Sequence, residues 1–468
     1  MIFSTYSFIF LFLPIVWLGY FGLHHAGRHK AAKWFLVAAS FAFYAIGSAD
    51  FVLIFMASVA VNYAVGTRVS LWRGKNIRPV AIKLLFAAGI ALNIALLAYF
   101  KYTDFFIKNY NWLFSQNVAP RNIVLPIGIS FFTFQLIAYQ VDSFRGLTSS
   151  YSLLDYLLFI TFFPQLIVGP IVHHGEMVPQ FEDRKNWRVN WDNVAKGMFV
   201  FTIGLGKKVL LADPMTLNAQ SFFDHAIPVP VSALSAWWYS IEYTISYYFD
   251  LSAYADMAIG IGLMFNVIIP ENFNAPYKAR NFQDYWQRWH MTLSRFLGAY
   301  IFRSVYRKGS RWRNYYVATM ITFLVSGFWH GAGWHFIAWG LVNGALVCIA
   351  SGMKRRNYSL NTVLAHALTL LGIVLTRIMF VVPLKRMLVV FRSLVHFSSM
   401  EFSAGNGATY LMLLRLILSL VILFCMPTTA TLARSFSPSA GRLVRSSLVA
   451  GLCVALMGRA AVFLYFQF

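Results

Sequence analysis

The chain has 468 residues, of which 59% are hydrophobic and only 12% charged, whereas soluble globular chains carry roughly 45–50% apolar and about 25% charged residues. That balance excludes an ordinary water-soluble enzyme, and no polar stretch is long enough to make a separate soluble domain. Lysine and arginine outnumber aspartate and glutamate by 39 to 16. In a bilayer setting this excess reads as basic loops that orient helices and meet anionic membrane lipid, with no nucleic-acid partner.

Taken in chain order, the run from Ile2 to Leu23 has no preceding Lys or Arg and no small-residue cleavage site, so it reads as a permanent first span. Its basic flank Arg28, Lys30 and Lys33 follows it, which predicts a non-cytoplasmic N-terminus. The segment from Trp34 to Gly66 is interrupted by Gly47, Ser48 and Asp50. Each half is short for a bilayer about 30 Å thick, which predicts a short helical hairpin or a re-entrant pair. Further spans are expected at 84–100, 123–141, 153–172, 197–211, 233–249 and 251–269, the last two joined at Asp250. After a polar, basic stretch at 271–313, spans resume at 315–328, 336–353, 362–380, 410–425 and 448–468. Pro164 and Pro170 should break their helix and shape a cavity wall. No solenoid or transporter-type repeat is visible. The expected fold is an all-α polytopic membrane body, a single domain over 1–468, with short re-entrant helices around a central funnel or tunnel.

Chemistry is sparse and therefore conspicuous. The run Ser326-Gly327-Phe328-Trp329-His330-Gly331-Ala332-Gly333-Trp334-His335 puts two histidines among aromatic and small residues in an apolar region. Intramembrane ionisable groups are costly to keep and point to function. Glycines around His330 permit a tight or broken helix. A neutral imidazole there can take a proton from a hydroxyl as its oxygen attacks an acyl carbonyl, although a hydrogen-bonded structural histidine fits as well. His335 reads more simply as a turn cap.

Upstream, a helix predicted from Asn281 places Trp286, Trp289 and Leu293 on one stripe, as in an interfacial amphipathic helix, with His290 beside the stripe and Arg288 and Arg295 elsewhere. From 278 to 313 nine basic residues face the single acid Asp284. Such a surface attracts the phosphates of a nucleotide cofactor or of lipid headgroups. Glu242, Asp250 and Asp256 lie in or beside apolar helices, where they pair with cations, line a wet passage or end a helix. Cys348, Cys425 and Cys453 stand singly without CxxC spacing, and no HExxH, P-loop or GxSxG pattern occurs, so no metal site is expected.

Trp329-His330-Gly331, the stretch from Gln287 to Ser294, the stretch from Tyr248 to Gly260, Leu125-Pro126-Ile127-Gly128-Ile129-Ser130-Phe131 and the stretch from Phe163 to Pro170 together resemble the membrane-bound O-acyltransferase family, from the first span to about Gly344. The likeness is greatest to its bacterial polysaccharide branch, typified by the membrane subunit of alginate O-acetylation. The resemblance implies an acyltransferase core over 125–344 and O-acetylation of an exopolysaccharide of alginate or cellulose type. It implies acetyl-CoA as donor and location in the bacterial inner membrane. It further implies an extracytoplasmic acetyltransferase partner and a polysaccharide synthase complex. Under it His330 and His290 become catalytic candidates, and Arg288, Arg295, Trp329 and Trp289 become candidates for holding the donor. Asp250, Asp256 and Ser326 become candidates for lining a substrate tunnel. The chain departs from the branch at Leu297-Gly298-Ala299-Tyr300, where an Arg-Asp-Tyr step is usual, and at His173 and His174, where an arginine-containing run is usual. Both departures bear on acceptor and partner. D-alanyl transfer to a cell-wall polymer and a proton-coupled transporter or export channel are the alternatives.

Overall fold

The protein is described by a computed structural model covering residues 2–75, 79–148, 151–223, 231–307, 309, 312–397 and 406–459. Helices make up nearly all the regular structure, and no strand occurs among the described residues. The chain forms two compact units, Met1–Phe201 with Met257–Pro270, and Thr202–Asp256 with Glu271–Phe468. Five helical stretches among the described residues are long and apolar enough to cross a membrane: Phe8–His25, His29–Gly74, Pro79–Phe114, Trp334–Arg355 and Thr362–Val381. The protein is a multi-pass membrane protein.

The first unit holds α1 (Leu13–His25), α2 (His29–Ser48), α3 (Val52–Gly74), α4 (Pro79–Phe114), α5 (Ile129–Arg145), α6 (Leu153–Thr161), α7 (Phe163–Leu166), α8 (His174–Glu182) and the start of α9 (Trp191–Gly206). The short helical hairpin or re-entrant pair expected at 34–66 is instead two full-length helices of 20 and 23 residues, with only a 3-10 turn at Ala49–Phe51 between them. At 1.5 Å per residue each is about 30 Å long or more, because the helices continue into their basic flanks, whose long side chains reach polar surroundings. The two prolines do interrupt 153–172, giving α6, the single turn α7 and an irregular run to His173. Backbone freed there finds partners inside the protein: Phe163 N donates to Ser40 Oγ at 3.2 Å. Gly128, at φ +75°, opens α5 where a Cβ would press on the Ile167 backbone at 3.3 Å. With lipid as apolar as any side chain, polar contacts knit the helices together. Asn62 and Asn93 exchange amide hydrogen bonds of 3.1 and 2.7 Å between α3 and α4, and Gln140 of α5 joins them.

The second unit begins within α9 and holds α10 (Asp213–Phe223), most of α11 (Ala233–Met264), α12 (Phe282–Arg288), α13 (Met291–Leu297), α14 (Arg303–Val305), α15 (Trp312–His330), α16 (Trp334–Arg355), α17 (Thr362–Val381), α18 (Leu384–Leu394), α19 (Asn406–Cys425), α20 (Thr429–Arg434) and α21 (Ala440–Leu456). Two expected spans that met at Asp250 are one continuous 32-residue helix, α11. Asp250 does not end the helix because its charge is neutralised in place by Lys208, at 2.6 Å. Residues 460–468 of the last expected span lie outside the described residues.

Candidate active site

His330 is the last residue of α15, and the helix breaks there before α16 starts at Trp334, as the flanking glycines predict. The two helices pack closely just below it. A Cβ on Gly327 would lie 2.4 Å from the Phe336 carbonyl oxygen, and one on Gly340 would lie 2.4 Å from that of Phe323. A Cβ on Gly331 would fall 1.9 Å from the Phe336 ring. Only glycine lets the chain turn so near its own continuation. His330 is 8% exposed. Its ring is met nearly edge-on by Trp329 at 4.8 Å, Trp339 at 5.1 Å and Phe380 of α17 at 5.1 Å. An imidazole so enclosed is packed within an aromatic wall.

His290 is placed differently from expectation. The continuous amphipathic helix from Asn281 is in fact two helices, α12 and α13, with Trp289 and His290 at the break and His290 in the left-handed region at φ 46°. The break has its own support. Asn272 Oδ1 accepts hydrogen bonds from Thr292 N at 3.2 Å, Thr292 Oγ1 at 2.9 Å and His290 Nδ1 at 3.1 Å, and Met291 N donates to the Asn272 carbonyl at 2.8 Å. An oxygen that already accepts from two donors can receive only an N–H from the ring, so the proton sits on Nδ1 and Nε2 carries a lone pair. Burial lowers the His290 imidazole to about 3, which keeps it neutral. The residue has the tautomer and the charge of a base.

A residue missed in the sequence joins these histidines. Arg377 of α17 is 7% exposed, with its Cζ 3.8 Å from the Tyr247 ring centre, 5.1 Å from Trp289 and 5.3 Å from Phe380. Its guanidinium also lies near the side chains of Tyr247 and Tyr285. Trp289, next to His290, stacks on Tyr285 at 5.6 Å and on Tyr247 at 6.2 Å. Phe380, which walls Arg377, also walls His330. The signal was present: Arg377 is the single Lys, Arg, Asp or Glu in the run from Thr362 to Val381, where a charge is costly.

The other sequence candidates divide. Trp329 and Trp289 are buried in this cluster, and Ser326 is buried one turn before His330. Arg288 pairs with Asp284 one turn earlier, at 2.7 Å, and Arg295 is exposed. Lys308 and Arg311 fall outside the described residues. Asp256 accepts from Lys207 at 2.7 Å and Thr429 at 2.7 Å. Lys208 lies 2.6 Å from Asp250 and 2.7 Å from Asp213. These carboxylates are ion-paired, and neither lysine had been singled out in the sequence.

A cavity of about 640 Å³ lies between the start of α12 and the turn joining α16 to α17, lined among others by Arg280, Asn281, Lys354, Asn357 and Tyr358 over an apolar floor that includes Phe282.

In the first unit, Asp142, His173 and His174 form a compact group that could hold a cation. Both Nε2 atoms face Asp142 Oδ2, at 2.8 and 3.0 Å. Gly175 N donates to His173 Nδ1 at 3.2 Å, which puts the His173 proton on Nε2, facing Asp142. The arrangement suits a hydrogen-bonded carboxylate better than a metal ligand set, whose Nε2 would need its lone pair.

A helical membrane body with two buried histidines, one of them walled by aromatic rings, suits an enzyme that carries out group transfer within the membrane. The profile of the membrane-bound O-acyltransferase family matches residues 36–391, and the chain belongs to that family; it is an O-acyltransferase. It is 41% identical to a peptidoglycan O-acetyltransferase of Helicobacter pylori over 79% of this chain and 75% of that protein. It is 36% identical to a probable alginate O-acetylase of Pseudomonas aeruginosa over 75% of this chain and 66% of that protein. A teichoic acid D-alanyltransferase of Bacillus subtilis is 27% identical over 51% of this chain and 62% of its own length.

Proposed function

We propose that this O-acyltransferase moves acetyl groups from cytoplasmic acetyl-CoA to hydroxyls of a polysaccharide outside a bacterial inner membrane, directly or through an extracytoplasmic acetyltransferase partner working beside a polysaccharide synthase. The observation that carries the reading is His330, fixed at a helix break and enclosed by Trp329, Trp339 and Phe380. His330 takes the proton of the attacking hydroxyl, and the neutral His290, held by Asn272, positions or passes a proton nearby. The cavity rimmed by Arg280 and Lys354 supports a site for the diphosphate of the donor. It suits this better than Arg288, whose charge is engaged by Asp284.

Peptidoglycan is the first acceptor to test, because the relative of that name is the more similar over more of both chains. An alginate- or cellulose-type exopolysaccharide is the second. The decisive experiment is His330→Ala in the native host, with expression checked by immunoblot and O-acetyl content measured on both polymers. Loss of acetate from one polymer supports the reading and names the acceptor; full acetylation of both sinks it. The teichoic acid relative gives a second reading, D-alanyl transfer. Purified protein stimulated by an aminoacylated carrier protein and indifferent to acetyl-CoA would favour that reading.

A further inference from the structure

We infer that Arg377 holds the oxygen of the acyl carbonyl during transfer and stabilises the negative charge that oxygen acquires. The inference rests on the acyl-transfer reading of His330 and adds the group that answers its base. A guanidinium inside an apolar span is expensive, and such charges are normally matched by a carboxylate. Among the described residues no carboxylate lies within ion-pair reach of Arg377, and its Nε–H has no hydrogen-bond acceptor. The aromatic faces of Tyr247, Trp289 and Phe380 lower the cost of the charge without consuming its N–H donors. The cation is thus built in, oriented, and left with donor capacity.

Its place fits the chemistry. Arg377 and Phe380 are three residues apart on α17 and so share one face, and the Phe380 ring that walls Arg377 lies 5.1 Å from the His330 ring. In the reaction His330 removes the hydroxyl proton and the oxygen bonds to the thioester carbonyl carbon. The carbonyl electron pair moves onto its oxygen, where the guanidinium N–H groups receive it. As the pair returns, the carbon–sulfur bond breaks, and the thiolate leaves with the proton held by His330. A preorganised donor aimed at that oxygen acts most strongly in a site without water.

The test uses the purified full chain in detergent, acetyl-CoA as donor and soluble peptidoglycan fragments as acceptor. Arg377→Met is expected to lower kcat by about 10²–10³-fold while the KM for acetyl-CoA changes little. Arg377→Lys, which restores the charge without the planar fork, should recover part of the loss. A purely structural cation would instead lower the folded fraction and leave kcat per folded molecule unchanged. If Arg377→Met does not fold, Arg377→Gln takes its place. A folded variant lacking the charge with kcat near that of the parent overturns the inference. His330→Ala in the same assay separates the two claims, since activity in that variant would overturn the reading beneath it.

Discussion

Lys208→Met should be among the most destabilising single changes in the protein. Its ammonium is 3% exposed and lies 2.6 Å from Asp250 and 2.7 Å from Asp213, whose side chains are 1% and 5% exposed. Removing one partner of a buried ion pair costs about 3–5 kcal/mol, because the other charge is left without compensation. Lys208 serves two carboxylates, so its loss should reach the upper end of that range. Asp250→Asn leaves Lys208 with Asp213 and should cost less, toward about 3 kcal/mol. The combined Lys208→Met, Asp213→Asn, Asp250→Asn variant leaves no charge in this cluster and should regain most of the stability. The assay is the apparent thermal unfolding midpoint in one detergent at one scan rate, with acyl transfer measured per folded molecule. A Lys208→Met protein as stable as the parent would refute the argument. So would an Asp250→Asn protein that is stable yet inactive, since Asp250 would then belong to the substrate path and not to a structural ion cluster.

Asn272→Leu removes the acceptor that fixes the His290 tautomer and should lower kcat at least roughly tenfold, seen in steady-state assays of folded protein. Because folded His290 binds a proton only near pH 3 while the unfolded side chain does so near 6.5, the unfolded state holds more protons between these values. Stability from this residue is therefore complete above about pH 6.5 and is lost as pH falls toward 3; His290→Asn should flatten that part of a melting-midpoint profile. Gly331→Ala drives a methyl into the Phe336 ring and should cost about 1–3 kcal/mol together with most activity, measured by melting and turnover. Arg280→Ala with Lys354→Ala should raise the KM for acetyl-CoA at low salt, and the difference from the parent should shrink as salt screens the rim.

The break at His330 was legible because Gly327, Gly331 and Gly333 crowd one short motif, and the interruption at Pro164 and Pro170 followed from a missing N–H and a fixed φ. The break at His290 was not. Nothing local distinguishes the run Gln287-Arg288-Trp289-His290 from an amphipathic helix, and the oxygen that supports the turn comes from Asn272, eighteen residues upstream. The uninterrupted α11 was hidden for a similar reason. Asp250 reads as a helix end until Lys208, forty-two residues away, is placed against it. Arg377 was visible as an isolated charge in an apolar run, but its neighbours Tyr247, Tyr285 and Trp289 come from distant parts of the sequence.

By itself the sequence determined that the chain is helical and membrane-embedded, since apolar run length and low charge leave a bilayer protein little other choice. It also picked out His330 and His290, because each stands within a recognisable motif. Only the tertiary structure decided which charges are spent on one another and which remain available for chemistry. Pairing in a low-dielectric interior depends on a few ångströms of separation in space. Asp250 and Asp256 were drawn into ion pairs with Lys208 and Lys207, and Arg377 was brought to the aromatic wall that encloses His330.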